Sequence, residues 1–467
     1  MKHPAELTLT EAAGAIRRGK LSSVDLTRSV IERIPHWKAL NAFVRLEPDE
    51  ALAAAKAADR ALKRRGAVGP LHGVPLAHKD MYYYAGKPAG CGSKIREDWI
   101  APTTSTVIAR LLQAGSFRLG ALHMAEFAYG PTGHNAHLGP ARNPWDLSRI
   151  TGGSSSGSGA AVAARLVHAA LGSDTGGSIR LPAHFCGVTG LKTTSGRVSR
   201  AQALPLSFTL DTVGPLARSA EDCGLIASII AGPDPLDPTT ARAPPWNAKA
   251  AKRSPKEMRI GVPSAFYLDD LERDVAAAFD AALDTFRRAG AKVAQVKLPD
   301  QGLLSAAALV VLQAEAVSFH SPWLRTRAHE YSPQVRNRLE NGVPYSSLDY
   351  LEALRWRGPA LAAHLEAIGS VDVILAPTSR AAAPTIESTD FGGAAGAERA
   401  IQAITRLMRP VNYLGLPALV VPAGQSAAGL PIGLQLIGRP FGEETVIALG
   451  AAFQKATDYH QRMPKLP

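Results

Sequence analysis

The chain has 467 residues, 46% of them apolar and 20% charged, with a formal net charge of +12. This is ordinary globular composition, enough for a sizeable core in one large α/β domain or in two to three smaller ones. Three cysteines, Cys91, Cys186 and Cys223, are too few and too scattered for a disulfide framework, and no CxxC pair signals zinc or redox work.

Residues 1–10 carry one early lysine and no apolar h-region, so they do not read as a secretory signal. Ser22-Ser23 followed by Asp25 caps a helix with Leu26, Val30 and Ile34 on one face. Residues 73–77 read as a short buried strand running into Lys79-Asp80. A helix from about Ser105 turns Val107, Ile108, Leu111 and Leu112 inward and stops at Gly115, and residues 117–122 suit a strand. A Gly/Ser loop covers 152–159, a helix 160–164 and an apolar strand or helix end 166–171. Residues 259–263 form a strand. A helix carrying Val275, Phe279, Leu283 and Phe286 ends at Gly290, and residues 293–298 alternate as a strand. Two further apolar strands, 371–375 and 419–421, are each followed by proline. Strands alternating with helices predict an α/β fold: a mixed, mostly parallel sheet covered by helices on both faces. Residues 233–255, rich in proline and alanine, read as a surface excursion, and no linker divides the chain.

Two Gly/Ser clusters stand out, residues 152–159 (GGSSSGSG) and residues 172–180 (GSDTGGSIR). Each alone reads as a turn or a flexible connector. A nucleotide P-loop would need the GK[ST] lysine, which is missing. Residues 153–157 formally match G-x-S-x-G, the nucleophile elbow of α/β-hydrolases, with His320, His329 and His460 downstream. The preceding Asn143-Pro144-Trp145-Asp146, however, does not read as the strand that elbow requires.

One pattern accounts for both clusters together with Lys79. Residues 152–192 (GGSSSGSGAAVAA…LGSDTGGSIRLPAHFCGVTGLK) closely resemble the signature of the amidase signature family of serine hydrolases. Residues 73–80 (GVPLAHKD) are similar to its lysine motif, and 211–215 with Arg218 to its next block. Residues 412–417 (NYLGLP) and 433–435 (GLQ) are similar to its closing motifs. The resemblance spans roughly residues 10–455 and implies one amidase signature domain, 1–467. Within it lie an N-terminal helical segment (about 1–70), a signature core (71–225), a variable substrate entrance (226–370) and a closing segment (371–467). It also implies a triad of Lys79, Ser154 preceded by a cis peptide, and the nucleophile Ser178, and the separation of the two serines fits. Ser156 departs from the glycine of many members but removes no catalytic group.

These residue types suit acyl transfer. A serine hydroxyl needs a base, and a lysine can serve if burial depresses its pKa from ~10.4. Ser154 would relay the proton, and Ser155 would support the loop. Thr175, Gly176, Gly177 and Ser178 can present successive backbone N–H groups as an oxyanion hole, with Asp174 and Arg180 pinning the turn. No cofactor and no metal is implied.

For the substrate, the resemblance places part of the acyl pocket at 124–130, with Phe127 and Tyr129 as candidates, and Tyr82 reads either as pocket lining or as packing. Residues 303–354, with Phe319, Trp323, Tyr331 and Tyr345, would form the entrance by analogy. The glutaminase component of the tRNA-dependent amidotransferase shares the whole signature and holds glutamine with an arginine and an aspartate. Arg357 matches the arginine, but residues 403–410 (AITRLMRP) hold no acid where the aspartate would stand. The expectation is therefore a stand-alone amidase acting on an aryl or weakly polar amide, with esters and carbamates open. It stands ahead of the amidotransferase glutaminase and of a non-catalytic binding protein on the same fold.

The basic residues are spread out. Their densest clusters, Lys63-Arg64-Arg65 and Arg325/Arg327, lack the interleaved aromatics of a nucleic-acid platform. No nucleic-acid partner is expected. No apolar run approaches 18 residues, so no membrane span is expected either. The expected partner is a small amide-type molecule, the expected setting cytoplasmic, and a homodimer is left open.

Overall fold

The computed structural model describes residues 3–390, 392 and 396–465. Eight strands form one sheet, in the order Lys292–Val296, Arg259–Pro263, Val373–Pro377, Pro431–Gly438, Ala418–Gln425, Thr189–Lys192, Thr212–Ala217 and Ala169–Asp174. The first three pair in parallel and every other neighbouring pair is antiparallel. The sheet is mixed, as expected, but parallel pairing is confined to one side. The reason is local: Ala418–Gln425 and Pro431–Gly438 are joined by the short turn 426–430, and a tight turn can only return a strand antiparallel.

The strands in the middle of the sheet are apolar on both faces and buried on both. Along Ala418–Gln425 the alternation is explicit. Leu419 and Val421 face Gly450 of the helix Glu443–Ala456, where a methyl would come within 2.5 Å of Leu419. Val420 packs in the same cluster as Ala183 and Cys186 of the helix Arg180–Cys186.

A second sheet of three strands has Phe117–Leu122 in its middle, antiparallel to Phe43–Leu46 and parallel to Pro75–Lys79. It meets the edge of the large sheet through His78, whose Nδ1 accepts from the Leu171 N–H at 3.0 Å. Burial holds the imidazole down to about 3, so it stays neutral and can accept that bond. Lys79, the last residue of its strand, is thereby set against the strand Ala169–Asp174.

Two readings of the sequence change. Leu112 does not turn inward but is 39% exposed. The helix Gln301–Arg327 belongs to a helical stretch, Gln301–Glu330, long and apolar enough, by length and composition, to cross a membrane, which a count of unbroken apolar residues misses because polar residues interrupt it. It is a core helix: Leu304, Ala308, Val311 and Ala316 are buried, and its buried Glu315 accepts from Ser207 Oγ at 2.6 Å and Thr209 Oγ1 at 2.7 Å.

Candidate active site

Lys79 is 1% exposed, and its Nζ donates to Ser154 Oγ at 2.6 Å and to Ser173 Oγ at 2.8 Å. Burial pushes the amine down to about 7, against the upward pull of Asp211 and Asp174. A lysine near neutrality is available as a base, which a solvated lysine is not.

Ser154 lies on the loop between the strand Asp146–Ile150 and the helix Ser156–Ala163, and the Gly153–Ser154 peptide is cis. Two backbone bonds tie this loop to the segment that carries the expected acyl pocket. Gly153 N–H donates to Pro131 O at 2.7 Å, and Ala125 N–H to Ser154 O at 3.1 Å. Ser155 N–H donates to Ser178 O at 3.3 Å, and the Ser155 hydroxyl is within reach of both Ser173 backbone groups. Ser155 therefore links the two Gly/Ser clusters. Ser156 exchanges a hydrogen bond with His123 Nδ1 at 2.8 Å, so the departure from glycine is absorbed by a neighbouring side chain.

Ser178 sits on the turn from Ala169–Asp174 into Arg180–Cys186. It is 8% exposed, and its hydroxyl bonds no protein group among the described residues. It faces a small cavity together with Thr175 and Gly176. Lys79 and Ser154 are thus in direct contact, while Ser178 is joined to the Ser154 loop through backbone and presents its oxygen to the cavity.

Asp174 shapes this turn. Its carboxylate accepts from the N–H groups of Gly177 at 2.9 Å, Ile179 at 3.1 Å and Arg180 at 3.3 Å, and from the Arg180 guanidinium at 3.0 and 3.1 Å. Burial alone would raise its pKa, but Arg180 and these bonds hold it well below the usual carboxylate range. Arg180 in turn donates to Gln435, the Met408 carbonyl and Asn412. Asp174 and Arg180 thus bond to one another and to the backbone of this turn. One expectation narrows. The Gly177 N–H is committed to Asp174 and points away from an oxyanion role, leaving the amides of Thr175, Gly176 and Ser178, which have no acceptor among the described residues. Gly177 is needed for its φ of +114° and because a methyl there would lie 2.6 Å from Met408.

The substrate side needs more correction. Tyr129 lines the cavity with Ser178. Phe127 does not: it is fully buried, stacked on Trp323 at 5.5 Å and edge-on to His320 at 4.6 Å, because at its φ of +50° the ring turns into the aromatic core. Tyr82 is also packing, its hydroxyl donating to Gly172 O at 2.6 Å beneath the strand Ala169–Asp174. Arg357 does not line the cavity; it donates to Thr209 O at 3.0 Å and Ser195 Oγ at 3.4 Å. Sequence reasoning did not single out Ser173 as a second partner of Lys79, or Leu312, Arg338 and Arg409 as cavity walls. Leu312 and Arg338 do lie in the expected entrance 303–354 and Arg409 in the stretch 403–410, but only the fold brings these separate segments to one cavity.

The family model described as Amidase matches residues 25–447. The A subunit of the glutamyl-tRNA(Gln) amidotransferase of Geobacter metallireducens is 39% identical over 481 residues, covering 97% of this chain and 98% of that protein. Among solved structures, one chain from work on "an unexpected vestigial protein complex" bearing on "the evolutionary origins of an s-triazine catabolic enzyme" superposes with a TM-score of 0.90 at 34% identity, covering 99% of this chain and 100% of that one. The peptide amidase of Stenotrophomonas maltophilia superposes with a TM-score of 0.85 at 30% identity, covering 99% and 98%. The chain belongs to the amidase signature family. It is an enzyme of the amide-cleaving type, acting on carbon–nitrogen bonds. The expectation that no nucleic acid bears on its function is overturned, because full-length relatives carry the name of a component of glutamyl-tRNA(Gln) amidotransferase.

Proposed function

We propose that this chain cleaves a carboxamide C–N bond through an acyl-enzyme on Ser178, and that it does so as the ammonia-releasing component of a tRNA-dependent amidotransferase, with glutamine as the amide. The observation that carries the chemistry is the buried Lys79 amine, near neutrality and 2.6 Å from Ser154 Oγ, beside a serine whose hydroxyl faces a cavity. Neutral Lys79, through Ser154, takes the Ser178 proton as Ser178 Oγ attacks the carbonyl carbon. The oxyanion is met by the free amides of the 175–178 turn. The proton returns to the leaving nitrogen, the C–N bond breaks, and water hydrolyses the acyl ester by the same relay. The amidotransferase role is supported by relatives of that name that match end to end, at 38–39% identity.

A second reading, a free-standing amidase, is favoured by one specific observation: Arg357 is occupied by Thr209 and Ser195, and among the described residues no acid lines the cavity to meet glutamine's ammonium group. The test is ammonia release from glutamine by the purified chain, alone and then with candidate partner subunits and glutamyl-tRNA. Release that depends on Ser178 and rises with those additions supports the amidotransferase role. Turnover of simple amides by the chain alone, indifferent to the additions, supports the second reading. In either case a fluorophosphonate should modify Ser178, read by mass spectrometry, and a Ser178→Ala chain that keeps its turnover would sink the mechanism.

A further inference from the structure

We infer that a second cavity, bounded by Met81, Leu204, Phe208, Val213 and Leu236, is a binding site for a small neutral molecule with an apolar body and one carbonyl oxygen, and that its occupant acts on Lys79 through Ser173. The action on Lys79 rests on the proposed function; the binding does not.

This cavity encloses about 230 Å³ and, among the described residues, shares no wall with that of Ser178. An apolar cavity of about 150 Å³ already holds a benzene ring. Phe208, 48% exposed, and Leu236, 67% exposed, stand at the mouth, while Ser173, Thr212 and Val213, each 2% exposed, lie at the buried end. The charged and polar walls are spent inside the protein. Arg200 donates to Asp237 at 3.2 Å, Asp211 accepts from Thr175 Oγ1 at 2.5 Å and from the Leu206 N–H at 2.9 Å, and Thr212 Oγ1 donates to Asp174 O at 2.9 Å. An ion entering here would lose its hydration and meet no free counter-charge, so the occupant that fits is neutral.

Ser173 differs from the other walls. Its hydroxyl accepts from Lys79 Nζ at 2.8 Å, and its own proton has no acceptor among the described residues except that same amine. Ser154 stands in the same relation, 2.6 Å from Nζ. Each hydroxyl has one proton to give, and a neutral amine has one lone pair to receive it, so the two serines compete. The relay runs when Ser154 holds the lone pair, because Ser154 is the one that takes up the Ser178 proton. A carbonyl oxygen at the buried end of the cavity gives the Ser173 proton a different acceptor and leaves the lone pair to Ser154. The occupant is therefore an activator that touches neither the substrate nor Ser178.

Acetophenone, a ketone on an aromatic ring, is the probe, and ethylbenzene, which lacks the oxygen, is its control. Acetophenone should bind the full chain saturably in calorimetry and should speed fluorophosphonate modification of Ser178 by about 2- to 10-fold, the worth of one hydrogen bond. In amide hydrolysis the gain should fall on kcat and leave KM unchanged. Ethylbenzene should give no gain. Ala203→Phe, which fills the cavity, should abolish binding and gain together, and Phe208→Ala, at the exposed mouth, should weaken binding if the first variant does not fold. In Ser173→Ala acetophenone should still bind and no longer speed the modification. No saturable binding, binding that neither cavity variant alters, binding without gain, or an equal gain from ethylbenzene or in Ser173→Ala overturns the inference. If the fluorophosphonate leaves Ser178 unmodified with and without acetophenone, the nucleophile assignment fails instead, and calorimetry on the cavity variants still decides the site.

Discussion

Lys79 is the residue on which the proposed chemistry turns, and its burial makes a pH prediction with a definite sign. Its amine titrates near 7 in the folded chain. Below that it holds a proton and cannot accept one through Ser154, so amide hydrolysis should climb between about pH 6 and 8 and level off above. The same depression leaves a mark on stability. From about 7 up to ~10.4 the unfolded chain binds a proton at this lysine that the folded chain does not, so folding stability should rise with pH across that window. Lys192 is buried and lowered to about 7 as well, and contributes with the same sign. Urea titrations at several pH values isolate the Lys79 share as the difference between wild type and Lys79→Met. Ser154→Ala should leave the fold in place and lower kcat by roughly 10²–10⁴-fold, the range expected for losing a positioned proton relay. At this scale the sequence could nominate Lys79, Ser154 and Ser178, because motifs resembling the family's surround them. It could not nominate Ser173, since its hydroxyl meets Lys79 only when two sheets meet.

Among the elements, the helix Ser156–Ala163 departs most from propensity. It begins inside the Gly/Ser cluster, which reads as a loop because glycine and serine are poor helix formers. Packing decides otherwise: every residue of the helix is buried, and at Gly157 a methyl would lie 2.4 Å from Ala42 O and 2.5 Å from His123 N. Gly→Ala inside a helix ordinarily stabilises by ~1 kcal/mol. Here the sign should reverse, with Gly157→Ala destabilising by about 1–3 kcal/mol because backbone must move, a shift readable as a lower urea midpoint. The same logic explains the strand Pro431–Gly438. Its glycine and glutamine read as part of a motif and not as a strand, yet Gly433 is there because His184 approaches it, and Gln435 because it holds Arg180. The strands that were legible, such as Arg259–Pro263 and Phe117–Leu122, are those whose apolar residues report their own burial.

Across the whole molecule, Arg180 is the point where the signature core and the closing segment are fastened together. Asp174 on one side and Gln435, Met408 and Asn412 on the other converge on one fully buried guanidinium. Arg180→Ala would leave Asp174 buried without its cation, a loss of roughly 3–5 kcal/mol. The expected outcome is a large drop in Tm, with amide hydrolysis and circular dichroism lost in one coincident transition, because the turn that carries Ser178 and the segment that carries Arg409 depend on the same anchor. Separate transitions for activity and for secondary structure would contradict it.

The amino-acid order by itself determined the fold class and the family, and singled out Lys79, Ser154 and Ser178 as candidates, because each is written in contiguous motifs whose glycines and serines answer to local backbone demands. Tertiary structure decided the antiparallel half of the sheet, the assignment of Phe127 and Tyr82 to packing, and the convergence of Arg338 and Arg409 on the cavity. These depend on which distant segments share a space, and a local periodicity carries no record of its neighbours across the fold.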